Sequence, residues 1–306
     1  MTVHGELAVV PAANATEAEQ ALKDFTDAYN AADSAYDPKL DADRVSGALG
    51  AINQAGLKAR SVTNPNGNPA HQPLALADAR FTIPKKAGWP RWFVADTDSN
   101  RDKDDRGAQD TRWVLVFVRN GPDDRWKVPY LTILPAHGVP AFKKDADGWG
   151  EAVAPDSTVL AAPPAALSAD YATYLTDGTP PLFASGAHTD KWRELRRKNA
   201  RLPGIATQYV DQPLTEGDFA PLGLATQDGG ALVFFATRYF ERQTGAKGVR
   251  PKVSADVKAL MTGEVTTSLT KEWISSQSVL VPRATAATPT VRVLGRLQGV
   301  VSAKGS

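Results

Sequence analysis

The stretch richest in potential metal ligands is Asp96–Asp105, which carries oxygen-bearing side chains at alternate positions. This spacing is typical of calcium loops, because hard cations take several oxygen ligands. Two positions depart from a tight calcium loop. The sixth residue is Arg101 rather than glycine, and the twelfth is Gly107 rather than a bidentate glutamate. A solvated hairpin loop is the alternative interpretation, and we predict no metal site.

A basic segment, Lys191–Arg201, is the second candidate for chemistry. It predicts a helix on which Trp192, Leu195 and Leu202 share one face, with cations around the rest. A helix of this kind binds anionic surfaces such as a membrane or a wall polymer. The alternative is the solvated face of a helix that is docked on the protein.

Aromatic residues form the third group, and five of them are our predicted ligand-binding residues. In a cone-shaped fold they would line an apolar pocket, whereas the alternative is packing in the core. The five residues are Tyr29, Trp92, Trp113, Trp126 and Tyr130.

Catalytic motifs are absent from the sequence. Nothing matches a P-loop, a dinucleotide-binding glycine pattern, HExxH or GxSxG. The chain has no cysteine, which excludes thiol nucleophiles, cysteine-bound zinc and disulfides. The four histidines fall in predicted loops or termini. Tyr29 and Asp33 have the spacing of neighbours on one helix face, so these two residues are the one candidate acid–base pair. We predict no catalytic residue and no cofactor.

Composition limits the class of partner. The chain has 35 basic and 34 acidic residues and a net charge of +1, which argues against a nucleic-acid binder. No segment reaches the length of a transmembrane helix. Residues Met1–Val10 lack the basic and apolar regions of a signal peptide, so we expect any targeting segment of an exported protein to lie outside this chain.

The elements that position these residues follow the same order in both halves. Thr16 and Glu19 have capping-box spacing and predict the start of a helix over about 17–35. Ser168 is predicted to cap a later helix, and Val159–Ala166 reads as a linker or an extended connection. The other predicted helices are near 43–58, 190–201 and 254–261, and the predicted strands are 80–83, 91–95, 112–119, 125–134, 205–210, 230–241, 265–280 and 290–300. Residues 112–119 are apolar on both faces, which places that strand in the centre of its sheet.

Helices followed by long antiparallel strands resemble the NTF2-like fold, a cone-shaped α+β domain. The resemblance is carried by Ala18–Ala32, Thr111–Leu134, Ala231–Arg238 and Val265–Val281. It implies two tandem NTF2-like domains, at residues 1–155 and 156–306. The segments Gly47–Leu57 and Gly88–Asp96 are also similar to uncharacterised exported or membrane-anchored proteins of actinomycetes, and that resemblance implies no activity.

These observations together predict a non-enzymatic extracytoplasmic domain of a cell-envelope protein, membrane-anchored or secreted, that acts in protein interaction or ligand sensing. Two alternatives stay open. One is a small-molecule carrier with an apolar pocket, and the other is an isomerase- or cyclase-type enzyme with a buried acid or base. The predicted partners are an envelope protein or an anionic surface polymer. The chain is predicted to be a monomer or a homodimer paired through its sheets.

Overall fold

The computed structural model describes residues 8–103, 107 and 109–306. Its helices and antiparallel sheets give an α+β architecture, which confirms the predicted class. The helices are α1 (Ala15–Ala35), α2 (Gly47–Thr63), α3 (Leu167–Asp177), α4 (Asp190–Asn199) and α5 (Ala255–Leu260). None of the helices in the described part of the chain has both the length and the apolar character that a membrane span needs.

Helix α1 begins at a capping box formed by Asn14 and Glu17. The Asn14 side chain accepts a hydrogen bond from the Glu17 backbone N–H at 2.8 Å, and the Glu17 carboxylate accepts one from the Asn14 N–H at 2.9 Å. The prediction that Thr16 provides the cap was wrong, because the helix starts earlier and Thr16 lies in its first turn. The buried positions Ala18, Ala21, Leu22 and Phe25 follow at helical spacing.

The first half of the chain forms a four-stranded antiparallel sheet in the order β2–β4–β5–β6. A small two-stranded sheet pairs β1 with β3. The strands are β1 (Val9–Pro11), β2 (Leu76–Thr82), β3 (Lys85–Ala87), β4 (Arg91–Ser99), β5 (Thr111–Arg119) and β6 (Lys127–Pro135). Strand β5 lies inside the sheet, as predicted from its apolar character on both faces.

The second half forms a seven-stranded sheet in the order β11–β13–β12–β10–β8–β7, with β9 paired to the other end of β10. All of its pairings are antiparallel except the short parallel contact of β11 with β13. The strands are β7 (Arg201–Leu202), β8 (Ile205–Leu214), β9 (Leu222–Ala225), β10 (Ala231–Gly245), β11 (Met261–Thr262), β12 (Ser268–Val281) and β13 (Arg292–Gly305).

The two sheets pack face to face, which explains why their central strands are apolar on both sides. Side chains alternate along a strand. On β5, Leu115 packs towards α1, whereas Val116 packs against the second sheet. On β10, Phe235 packs towards α3, whereas Phe234 packs against the first sheet. The result is four layers, helix–sheet–sheet–helix, with the middle core shared by both halves.

Polar groups also cross between the sheets. The Thr132 hydroxyl on β6 and the Ser278 hydroxyl on β12 lie 2.8 Å apart and are buried. Gly295 on β13 sits beside them, and a Cβ there would press into the Thr132 side chain. The close approach of the strands at this point therefore depends on the absence of a side chain at position 295.

The connection between the halves is extended and packed. Leu160 pairs with Arg283 in an isolated bridge, and Leu160 and Ala162 are buried in the core of the second half. Ser168 does not cap α3 as predicted, because its hydroxyl donates to the Ala236 carbonyl at 2.5 Å. The hydroxyl thus ties α3 to the sheet instead of satisfying the helix end.

Candidate functional site

A cavity of about 580 Å³ lies between the two halves, at one end of the shared core. The first half contributes α1, α2, β5 and β6 to its wall, and the second half contributes α5, β12 and β13. We call it the cleft. Its apolar lining residues are Leu49, Ile52, Ala59, Leu131, Ile133, Val257, Leu260, Leu297 and Val300. Ile133 is 47% exposed, so the apolar wall reaches the solvent.

Helix α2 presents one face to the cleft because its lining residues recur at helical spacing. Ile52, Gly56 and Arg60 follow one another at intervals of four residues, and Asn53 precedes Gly56 by three. Gly56 lies beside the Arg60 side chain, and a Cβ at position 56 would be in ordinary contact with it, 3.5 Å from Arg60 Nη2. Across the cleft, Gly299 brings β13 close to α2, because a Cβ there would lie 2.8 Å from Ile52 Cγ2.

The polar residues that line the cleft include the donors Arg60 and Tyr29 and also residues with acceptor oxygens, Asn53, Ser254 and Asp256. Arg60 lies over the ring of Tyr36, with 5.3 Å between the guanidinium carbon and the ring centroid, and its Nε is buried without a partner. Trp273 Nε1 is likewise buried without a partner. Burial raises the pKa of Tyr29, and the nearby Asp33 carboxylate adds to the rise, so its hydroxyl keeps its proton.

A buried carboxyl stands behind this lining. Asp41 is fully buried, and its two oxygens accept hydrogen bonds at 2.6 Å from the side-chain amides of Asn53 and Gln54. Burial raises the pKa of Asp41 from 3.8 to about 6, although the two amides act in the opposite direction. Asn53 itself lines the cleft, so Asp41 orients a residue of the cleft wall without lining it.

The structure brings two of the five predicted ligand-binding residues to the cleft, Tyr29 and Trp113. Trp92 lies in the core between the sheets, and Trp126 packs edge-on against Phe93 with 4.9 Å between ring centroids. Tyr130 is fully buried and donates to the Phe219 carbonyl at 2.8 Å, and burial raises its pKa.

The five predicted ligand-binding residues did not include Arg60, Asn53 or Trp273. The helical spacing along α2 was the available signal for Arg60 and Asn53. Trp273 is separated from them by more than 200 residues of chain, so no local pattern connects the three.

The candidate acid–base pair is not arranged as predicted. Asp33 Oδ2 accepts a hydrogen bond from Asn68 at 2.9 Å and lies 2.8 Å from His71 Nδ1. Asp33 and His71 are 38 residues apart in the sequence, which explains why no local spacing indicates this contact. Asp33 is held by these two residues, whereas Tyr29 faces the cleft.

The acidic stretch Asp96–Asp105 is described only in part, because Asp104 and Asp105 lie outside the described residues. Asp96 Oδ1 accepts a hydrogen bond from Arg112 Nε at 2.6 Å, and Asp102 Oδ2 accepts one from the Thr111 N–H at 2.6 Å. Within residues 8–103, 107 and 109–306 no group of three or more metal-binding side chains comes together.

Comparison with known proteins places the chain in a family. Residues 9–305 match the family described as "Domain of unknown function (DUF8094)". The chain belongs to the DUF8094 family. An uncharacterised lipoprotein of Streptomyces coelicolor is 54% identical over 306 residues, covering 100% of this chain and 90% of the relative. An uncharacterised lipoprotein of Streptomyces avermitilis is 52% identical over the same 306 residues, again 90% of the relative. No solved structure matches the chain significantly.

In this DUF8094 member the predicted apolar face of the basic segment is divided, because Trp192 packs against the core of the second half whereas the two leucines are exposed. Leu195 is 46% exposed and Leu202 is 49% exposed, whereas Arg196 is buried. The Arg196 guanidinium binds both oxygens of Asp211, at 2.7 and 3.0 Å. Three rings surround its guanidinium carbon at 4.6–4.9 Å, those of Trp192, Tyr209 and Tyr239. The inward face of α4 is therefore a buried ion pair in an aromatic cage, which hydrophobic periodicity does not reveal.

Proposed function

We propose that this chain is the folded extracytoplasmic part of a cell-envelope lipoprotein, and that it binds a small molecule with an apolar body in the cleft. The cleft is the observation that carries the binding role. Its volume of about 580 Å³ lies within the range of small-molecule sites, which are mostly apolar with a few polar groups. The names of the two Streptomyces relatives support the location.

Binding rather than catalysis is the role we propose for the cleft. An enzyme of the isomerase or cyclase type needs a side chain that can give a proton to the substrate or take one from it. Asp41 is a buried acid with a raised pKa, but both of its oxygens are engaged by Asn53 and Gln54. The donors that face the cleft are suited to holding a ligand. Ligand sensing or carriage is therefore favoured over the enzyme alternative.

We propose further that residues 1–155 and 156–306 are two divergent NTF2-like units that pair through their sheets within one chain. The order of helices before an antiparallel sheet in both halves supports this, as does the core shared by β5 and β10. Because the paired faces are used internally, a monomer is the proposed state. Light scattering after size-exclusion chromatography tests it, and a dimer mass at micromolar concentration would contradict it.

The binding role is tested with N-phenyl-1-naphthylamine, a neutral apolar dye that fluoresces in apolar sites. We expect saturable binding with quenching of tryptophan emission, since Trp113 and Trp273 line the cleft. In the Gly56→Leu variant, a side chain enters the cleft and should abolish most of the binding. Lys58→Leu is the matched control, because it adds the same side chain at an exposed position of α2. Absence of saturable binding, or equal binding by both variants, would refute the proposal.

A further inference from the structure

Arg60 is a partly buried cation with no anionic partner. None of the ion pairs in the described part of the chain includes it. Its guanidinium rests on the Tyr36 ring, and its Nε is buried without a hydrogen bond. A guanidinium has five donors in a planar fork that matches a carboxylate or phosphate. A partly buried guanidinium without an anionic partner gains from an external acceptor that reaches its accessible nitrogens.

Two other donors lie in the same cavity wall. Trp273 Nε1 is buried without a partner and can only donate. Tyr29 also lines the cavity, and burial raises its pKa, so its hydroxyl keeps a proton that it can donate. Arg60 and Tyr29 thus bring donor groups to the cavity, whereas Trp273 Nε1 is enclosed by protein and most of the wall is apolar.

One carboxylate, Asp256, also lines the cleft, but it does not neutralise Arg60. It lies in the first turn of α5 and is exposed to solvent, where water screens its charge. It forms no ion pair among the described residues, so it leaves the guanidinium free.

We infer that the ligand of the cleft is an amphipathic anion, whose carboxylate or phosphate head binds Arg60 and whose apolar body lies along Ile52, Leu297 and Val300. This inference rests on the proposed function and specifies its ligand class. The head group meets the Arg60 guanidinium, which has no ion-pair partner, and the body covers the apolar wall that otherwise faces solvent. Arg60 differs in this respect from the arginines that already bind a carboxylate of the protein, such as Arg196 with Asp211.

The test compares ligands that differ only in the head group. Laurate, lauryl phosphate and dodecanol, each below its critical micelle concentration, are used to displace N-phenyl-1-naphthylamine from the full chain. A hydrogen bond to a charged group is worth about a tenfold difference in affinity or more. We expect at least one of the two anions to bind roughly tenfold more tightly than dodecanol, and their order tells carboxylate from phosphate.

The variants assign the effect to Arg60. Arg60→Gln should remove most of the advantage of the anions over dodecanol, and Arg60→Lys should keep part of it. Lys58→Gln removes an exposed cation from the same helix and should leave the binding of dye, anions and dodecanol unchanged.

If dye binds but the anions and dodecanol displace it equally, or if Arg60→Gln keeps the full anion advantage, the inference is wrong and the proposed function stands. If the unaltered chain binds no dye, the proposed function itself fails. If Arg60→Gln loses dye binding as well, the inference is tested by the ratio of anion affinity to dodecanol affinity in the unaltered chain and in Arg60→Lys. A smaller ratio in Arg60→Lys supports the inference, and equal ratios contradict it.

Discussion

Replacement of Asp41 by asparagine should change how the stability of this protein depends on pH. Asp41 is fully buried, and its pKa in the folded chain is raised from 3.8 to about 6. An asparagine has nearly the same shape and carries no charge at any pH. Rotation of one neighbouring amide, Asn53 or Gln54, lets both hydrogen bonds persist.

The sign and size follow from the difference in proton affinity. Between about pH 4 and 6 the folded chain holds the Asp41 proton more tightly than the unfolded chain does. Its stabilising contribution is therefore complete below about pH 4 and is lost as the pH rises through about 6. Each pKa unit is worth about 1.4 kcal/mol, so the rise corresponds to a loss of about 3 kcal/mol in the free energy of unfolding. Asp41→Asn lacks this component, and its stability relative to the unaltered chain should grow with pH by up to that amount.

Urea unfolding followed by tryptophan fluorescence at pH 4.5, 5.5, 6.5 and 7.5 measures the difference. Asp27→Asn is the control, because it removes an exposed carboxyl from α1. A difference between Asp41→Asn and the unaltered chain that stays constant from pH 4.5 to 7.5 would refute the assignment of a raised pKa to Asp41.

Three further substitutions test the packing by urea unfolding. Asp211→Asn leaves the buried Arg196 unpaired and should lower the free energy of unfolding by about 3–5 kcal/mol. A second change, Arg196→Met, should restore much of this loss, and a smaller loss in the single variant than in the double one would contradict the prediction. Asn14→Ala should cost about 1 kcal/mol through loss of the helix cap, whereas Thr16→Ala should cost less, and the reverse order would restore the sequence-based assignment. Gly295→Ala should cost about 1–3 kcal/mol because the new methyl group crowds the facing sheet, and unchanged stability would show that the sheets can separate there.

Periodicity was sufficient to predict most of the helices and strands, because it reports which side of an element is buried. Strand β5 is the clearest example, since an apolar run on both faces has one explanation in this fold, burial between two layers. The same signal fails at helix ends. Asn14 and Thr16 both stand three residues before a glutamate, and only the position of the first turn decides which one caps α1.

The candidate site was predictable only in part, because residues distant in the chain build it. Tyr29 and Trp113 were predicted and do line the cleft. Trp92 on β4 and Tyr130 on β6 belong to the same sheet as Trp113, but alternation turns them towards the second sheet. A sequence gives the alternation of a strand, but it does not say which face meets the other half. Trp273 lies in the cleft wall because of the packing of β12, and no sequence pattern near Arg60 indicates that contact.

The core between the two sheets has a consequence for how this family varies. The face built from Val114 and Val116 is complementary to the face built from Leu232 and Phe234, and the hydroxyls of Thr132 and Ser278 set their alignment. A change of side-chain volume on one face therefore requires a compensating change of side-chain volume on the other face, more than 100 residues away in the sequence. A chimera that joins the first half of this chain to the second half of a relative with different packing residues would therefore lose the fit between the two faces.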